Sequence, residues 1–318
     1  MRKIALIFAL VLWAGAAWAA EELMLINPGR ETFVGFPTSS IGNEHVLTVF
    51  LPEDFVPLRG RYPLVVLFGA GPKQAQEAAA YVKKHSVIVA GIDLQEADFS
   101  EPEKVIQFVS QELIPYLDTN YATFPFPQKR LLVVYGEAAS NVAIALLNMP
   151  ELFGGISLVS PGKALTGKTL PSAGRIFITG NQAELASAQA ALQKAGRTYG
   201  PDFALADLKN TNSLFEPVQA DYFFSSDKES LALEKLIPSL ENKTIQAGQP
   251  VSLKITARLK NKLELAYVPS SLRMSPPYLD WNPAEGTLRV LSGAVPGKIK
   301  IRADVDNPGF SVKIKYKK

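Results

Sequence analysis

The sequence predicts an α/β fold, a mainly parallel sheet with helices on both faces, followed by a small all-β sandwich. Three observations predict it. Continuous apolar runs of strand length alternate with amphipathic helical stretches through the first part of the chain, the pattern of a parallel sheet buried on both faces. From Val251 onward the helical stretches vanish and strict two-residue alternation replaces them. The charge divides at the same place: residues 21–241 carry 17 Lys and Arg against 25 Asp and Glu, whereas residues 242–318 carry 14 against 5. Net charges of −8 and +9 imply two surfaces of different character.

The first residues stand apart from this fold. Arg2 and Lys3 precede an apolar run from Ile4 to Trp18, and Ala17-Trp18-Ala19 places small residues where signal peptidase reads them. Cleavage is expected after Ala19, which makes residues 1–19 a signal peptide and the mature protein periplasmic or secreted. The run of about fifteen residues falls short of the ~20 that span a bilayer; an uncleaved anchor is the alternative. No later stretch is long or apolar enough to span. The remaining chain divides into 20–240 and 241–318, joined by a linker at 241–250.

In order, residues 64–68 read as a buried strand, 75–84 as a helix and 86–92 as a strand. Ser100 and Glu103 form a capping box ahead of Val105, Val109, Leu113 and Leu117, an i, i+4 stripe that Pro115 is expected to kink or end. Strands at 131–135, 155–159 and 175–179 alternate with helices at 140–148 and 184–195. A strand near Tyr222 and a helix over 229–240 are expected to close the unit. Residues 251–260, 298–305 and 310–317 then read as alternating strands.

Composition removes several chemistries. Without cysteine the chain has no disulfide, thiolate nucleophile or Cys-ligated metal, and His45 and His85 are too far apart for a two-His zinc motif on one helix. No phosphate-binding glycine loop with Lys-Ser/Thr occurs, so nucleotide use is not expected, and no cofactor is expected.

Residues 45–71 (HVLTVFLPEDFVPLRGRYPLVVLFGAG), 112–121 (ELIPYLDTNY) and 131–162, with VVYGEAASNVAIAL and PELFGGISLVSPG, resemble the esterase D / enterochelin-esterase-like branch of the α/β-hydrolases. The resemblance spans about residues 40–240 and implies an α/β-hydrolase-like sheet with a nucleophile elbow after the 131–135 strand. In such enzymes G-x-S-x-G forces a tight strand-to-helix turn that lifts a serine hydroxyl clear of the sheet. The matching pentad is Gly136-Glu137-Ala138-Ala139-Ser140, which puts Ala138 at the nucleophile position. The family's base should follow the last strands, yet no histidine occurs after His85. His85 precedes its strand and His45 lies on an early edge strand, so both read as surface or structural residues.

Glu184 is the candidate for the acid's neighbourhood, and equally a helix N-terminal residue. Phe68 stands where the resemblance implies histidine. Gly69, Ala70 and Gly71, with the Ala139 amide, are the candidates for a surviving anion-binding concavity. Ser140 reads as a residue serving the helix N-terminus, with a displaced nucleophile as the alternative. Ser160 is on the correct edge, either as a turn residue before Pro161 or as a nucleophile. Glu137 is an exposed elbow residue or a ligand for a cation or sugar hydroxyl. Losing nucleophile and base together removes on the order of a millionfold in rate.

Ala247-Gly248-Gln249-Pro250 before an alternating strand, Pro277 to Asn282, and Glu285-Gly286-Thr287-Leu288 resemble a bacterial Ig- or cadherin-like module. Asp304 and Asp306 read as a hairpin turn or as calcium ligands. Alternation points Lys254, Arg258, Lys260, Lys298, Lys300, Arg302, Lys313, Lys315 and Lys317 outward. That basic surface is a solvated face discouraging edge pairing, or a site for an anionic envelope polymer, an envelope protein or the chain's own acidic part. Nucleic acid is not an expected partner, because no aromatics interleave with the lysines.

Together these readings describe an exported esterase-like pseudoenzyme with a binding or scaffolding role at the cell envelope. The alternative is an active carboxylic-ester or carbohydrate-ester hydrolase using Ser140, Ser160 or a borrowed group. A third reading is a structural secreted module whose first part only presents the second.

Overall fold

The computed structural model describes residues 29–36, 38–42, 45–56, 60–69, 76–208, 215–224, 227–242, 244–246, 248–269, 272, 279–291, 297–303 and 310–317. The expected signal peptide, residues 1–19, lies outside them. Eight strands build the first part of a large sheet: β1 (Arg30–Phe36), β2 (His45–Phe50), β3 (Leu64–Phe68), β4 (Ile88–Ile92), β5 (Arg130–Tyr135), β6 (Gly155–Val159), β7 (Arg175–Gly180) and β8 (Phe203–Asp207). They lie in the order β1-β2-β4-β3-β5-β6-β7-β8. From β4 through β8 neighbours are parallel, whereas β2 runs antiparallel to β4 and β1 antiparallel to β2.

Strand periodicity explains the layers. Successive side chains point to opposite faces, and the central strands are apolar on both. Val65, Leu67, Val89, Leu131 and Val133 pack on one face with Tyr81 and Val82 of α1 (Gln76–Val82) and Ala220 and Phe223 of α6 (Pro217–Phe224). Leu64, Val66, Phe68, Ile88, Ala90, Leu132 and Val134 face the other way. They meet Val105 of α2 (Pro102–Gln107), Leu117 of α3 (Ile114–Asn120), Val142 and Leu146 of α4 (Glu137–Leu147), and Leu185 and Leu192 of α5 (Gln182–Lys194). The result is the expected α/β arrangement, a mixed sheet between two helical layers.

Pro115 does not end its helix. Between α2 and α3 the turn Phe108–Leu113 widens to π geometry, and the Ile114 amide donates to the Val109 carbonyl, five residues back. A proline one residue later has no amide to place, so the widened turn absorbs the missing donor. The expected capping box is absent: Glu101 is the N-cap, without a side-chain cap, and Pro102 opens the helix.

The C-terminal strands correct the sequence reading in two places. The segment near Tyr222 is helix α6, not a strand. The stretch expected to be a helix over 229–240 is instead strand β9 (Leu233–Leu240), antiparallel to β11 (Val251–Leu259) along nearly its whole length. Leu, Glu and Lys favour a helix there, but Pro238 opposes one, and pairing with β11 satisfies the backbone that propensity alone would have coiled.

β11 also pairs with β12 (Glu264–Ala266) and β14 (Thr287–Val290), and β14 with β13 (Leu279–Asn282). β12 joins β8 at Ala266 and Leu205, so these strands continue the main sheet. β10 (Thr244–Gln246), β16 (Phe310–Lys317) and β15 (Gly297–Ala303) form a separate three-stranded sheet. Polar contacts tie this region to α5: the Gln189 side-chain Oε1 accepts from the Val268 backbone amide at 2.9 Å, and the Gln182 side-chain Nε2 donates to the Pro283 backbone carbonyl at 3.0 Å. Among the described residues no helix is long and apolar enough to cross a membrane.

Two polar anchors sit where chain segments meet. Arg130 is buried; its Nη2 pairs with Asp118 Oδ2 at 2.5 Å while its Nη1 reaches the Glu151 carbonyl at 3.3 Å. Burial pushes this guanidinium down and the Asp118 charge pulls it back up. Breaking such a pair strands a charge. Asp118 is partly exposed, so Asp118→Ala should cost about 2–3 kcal/mol of unfolding free energy, the scale of a charge-assisted hydrogen bond, read as a lower urea midpoint at constant m-value.

Glu112 holds the 38–42 loop, its carboxylate accepting from the amides and hydroxyls of Ser39 and Ser40 at 2.5–3.0 Å. Partial burial pushes the Glu112 carboxyl up, but those hydrogen bonds outweigh it and hold the group below the usual range. A depressed folded pKa stabilises above the unfolded value and is lost as pH falls through the folded one. The stability gap between wild type and Glu112→Gln should thus be full at neutral pH and shrink below about pH 4, as paired thermal melts would show.

Candidate functional site

The carboxyl ends of β3 to β8 form the edge where ligands bind in open α/β sheets. There β5 passes into α4 through a single bend residue, Gly136, with φ of 85° and ψ of 169°. Glu137 already belongs to the helix, so Ala138 lies in its first turn and not at the apex expected from the pentad. The physical reason is the positive φ, which glycine adopts without cost and alanine does not. Neither Gly136 nor Ala138 carries an atom that attacks a carbonyl.

Ser140 is fully buried and its hydroxyl donates to the Gly136 carbonyl at 2.6 Å, while its amide donates to the same oxygen at 3.1 Å. It closes the first turn of α4 from inside. Ala139 is buried beside it. Gly69 ends β3 with φ of 74° and its amide on the Ile92 carbonyl at 3.0 Å. Phe68 is completely buried, its ring 6.2 Å from that of Phe99. Ala70 and Gly71 lie outside the described residues.

Ser160 follows β6, directly beside the Gly136 turn, because Val159 is the register partner of Tyr135. Its φ of 48° is unusual for a side chain that precedes proline. Its amide is held by the Thr179 carbonyl at 2.8 Å. The loop that follows is clamped by two carboxylates. Glu137 accepts from the Lys163 amide at 3.1 Å, and Glu184 accepts from the Gly162 amide at 3.3 Å. Gly162 has φ of 54°, and a Cβ there would lie 2.4 Å from a Glu137 oxygen. Glu184 also accepts from the Asn181 amide at 2.9 Å, while Asn181 accepts from the Glu184 amide at 3.0 Å, a capping box on α5. Each carboxylate thus accepts at least one backbone amide, and Glu184 accepts one on each oxygen.

Neither histidine reaches this edge near Gly136. His45 is buried, with Nδ1 3.3 Å from Asp93 Oδ1, on the second strand of the sheet rather than its edge. The strands β4 and β3 separate β2 from β5, a distance of roughly 14 Å at ~4.8 Å per strand. His85 is exposed and stacks on Tyr81 with ring centroids 4.0 Å apart, before β4 and so at the amino edge.

One residue at the turn escaped the sequence reading. Tyr135 ends β5 with 49% of its surface exposed, immediately before Gly136. The aromatic closing an apolar run was its only signal. Lys168 donates to Asn141 in the second turn of α4.

The basic residues of β11 and of the turn after it have partners within the chain. Lys254 lies 3.9 Å from Asp207, Arg258 3.7 Å from Glu234, and Lys260 3.5 Å from Glu229. Lys262 adds 2.9 Å to Glu234, whose carboxyl that hydrogen bond holds below its usual range. A cleft of about 200 Å3 lies alongside, lined by Asp207, Lys254, Glu264 and Gln182 among others. For Lys298, Lys300, Arg302, Lys313, Lys315 and Lys317 the described backbone gives strands β15 and β16. Asp304 and Asp306 lie outside the described residues.

No family model and no curated protein matches the chain. Among solved structures, it is similar to the enterobactin esterase of Shigella flexneri at 15% identity and a TM-score of 0.47, covering 58% of this chain and 54% of that one. The chain therefore spans about half the length of that esterase. It is also similar to Thermogutta terrifontis esterase 2 (17% identity, TM-score 0.39, 57% and 82% covered) and to a ferulic acid esterase (13%, 0.40, 64% and 96%).

Because Glu184 caps α5 and holds the loop at once, Glu184→Ala should cost about 1–2 kcal/mol. Amide hydrogen exchange at Gly162 and Asn181 should accelerate in the variant while exchange within β5 stays unchanged.

Proposed function

We propose that the protein is an esterase-like scaffold without hydrolytic machinery, exported to the periplasm or the medium, that works by binding or scaffolding at the cell envelope. One observation carries this reading: the strand-to-helix turn that should present a nucleophile is Gly136, with Ala138 behind it and neither histidine beside it. Hydrolysis by the family's mechanism needs a nucleophile and a base in hydrogen-bond reach. The buried, donated hydroxyl of Ser140 supports the same conclusion. In this reading residues 20–240 are the esterase-like domain and 241–318 an Ig- or cadherin-like sandwich, joined to the first by the pairing of β9 with β11 and of β8 with β12.

A second reading, an ester hydrolase acting through Ser160, draws on that residue's strained backbone beside the turn. It lacks a histidine base, since His45 and His85 both lie away from this turn.

An esterase assay separates the two. Wild type, Gly136→Ser, Ala138→Ser and Ser160→Ala would be incubated with short-chain aryl esters. All four should match the uncatalysed rate. Wild-type turnover about a hundredfold above it, abolished in Ser160→Ala, would overturn the scaffold reading in favour of hydrolysis.

A further inference from the structure

We propose that the chain carries a binding site for an amphiphilic organic anion at the amino edge of the sheet, opposite the Gly136 turn. A pocket of about 490 Å3 opens there between the starts of β5, β6 and β7 and the end of α6. That volume falls within the range of small-molecule sites, roughly 300–1,000 Å3.

The lining has two parts. Phe153, Phe223 and Phe224 supply apolar wall, the first two buried and the third half-buried. Among the described lining residues the charges are of one sign: Lys129, Arg175 and Lys228, with no Asp or Glu. That is notable in a segment whose net charge is −8. The Arg175 guanidinium is fixed there by donating to the Phe223 carbonyl at 2.7 Å. The Lys228 side chain is 70% exposed and lies 3.4 Å from Asp202, a loose pair from which it can turn toward a ligand at little cost.

Clustered cations over aromatic wall select a ligand with an apolar body and one anionic group. A neutral body lacks the head that the cations attract, and a small inorganic anion leaves the wall wet. The same head and tail occur on a free fatty acid and on a lipid held in a bilayer. A concave pocket of this size fits the monomer.

The test uses the full mature chain. Anilinonaphthalene sulfonate would be titrated by fluorescence and displaced with dodecanoate or with dodecanol. Saturable binding is expected, with dodecanoate displacing at least about tenfold better than dodecanol and roughly 0.5 M salt weakening it. Lys129→Met with Lys228→Met should raise the dissociation constant about fivefold. Ala173→Trp, at an exposed lining position, should plug the pocket and abolish binding. Equal displacement by dodecanol, or binding unchanged in both variants, would overturn the site. Sedimentation with anionic phospholipid vesicles in the absence of monomer binding would overturn it in favour of a membrane surface.

Discussion

The whole arrangement depends on a sheet whose central strands are apolar on both faces. Leu64 to Phe68 and Leu131 to Val134 are fully buried, so no residue in the middle of β3 or β5 reaches water. Helices must cover both sides, and only the two ends of the sheet are left for recognition. At one end lies the Gly136 turn with its clamped loop; at the other lies the pocket between Lys129 and Phe224. Both are made from strand termini, where the chain changes direction and backbone amides become available.

This constraint also explains what the sequence could reveal. Strands such as Leu64–Phe68 and Gly155–Val159 are legible because double-sided burial writes an unbroken apolar run. β9 is not, because its eight residues include good helix formers and its partner β11 begins only at Val251, across an intervening strand. β8, Phe203–Asp207, also went unread, its apolar run diluted by two alanines. At the site, the lack of a serine and of a late histidine was plain from residue identity. The position of the apex was not. A pentad counted from Gly136 places Ala138 at the top, whereas the backbone turns two residues earlier, at Gly136 with its positive φ. The amino-edge pocket draws its lining from segments about a hundred residues apart, beyond the reach of any local pattern.

The opposite net charges of the two parts acquire a physical meaning in the pairs along β11. Each exposed pair contributes well under about 1 kcal/mol, so they do not hold the parts together. Buried contacts do that: Ala257 and Leu259 in the common core, and the carbonyl of Ala266 against the Tyr199 hydroxyl at 2.5 Å. A like-signed face at the same place would be repelled.

The widened turn before Pro115 bears on the stripe of Val105, Val109, Leu113 and Leu117, all fully buried. A strict four-residue repeat does not fit a regular helix of about 3.6 residues per turn. Each step drifts by about 40°, and three steps would swing Leu117 roughly 120° from Val105, off the sheet. A π turn, with five-residue hydrogen bonds, is wound more slowly and cancels much of that drift. The underwinding therefore keeps one seam facing the sheet through the whole passage from α2 to α3. An apolar repeat of four is thus a written sign of helical pitch, and the proline marks where the slack is taken up.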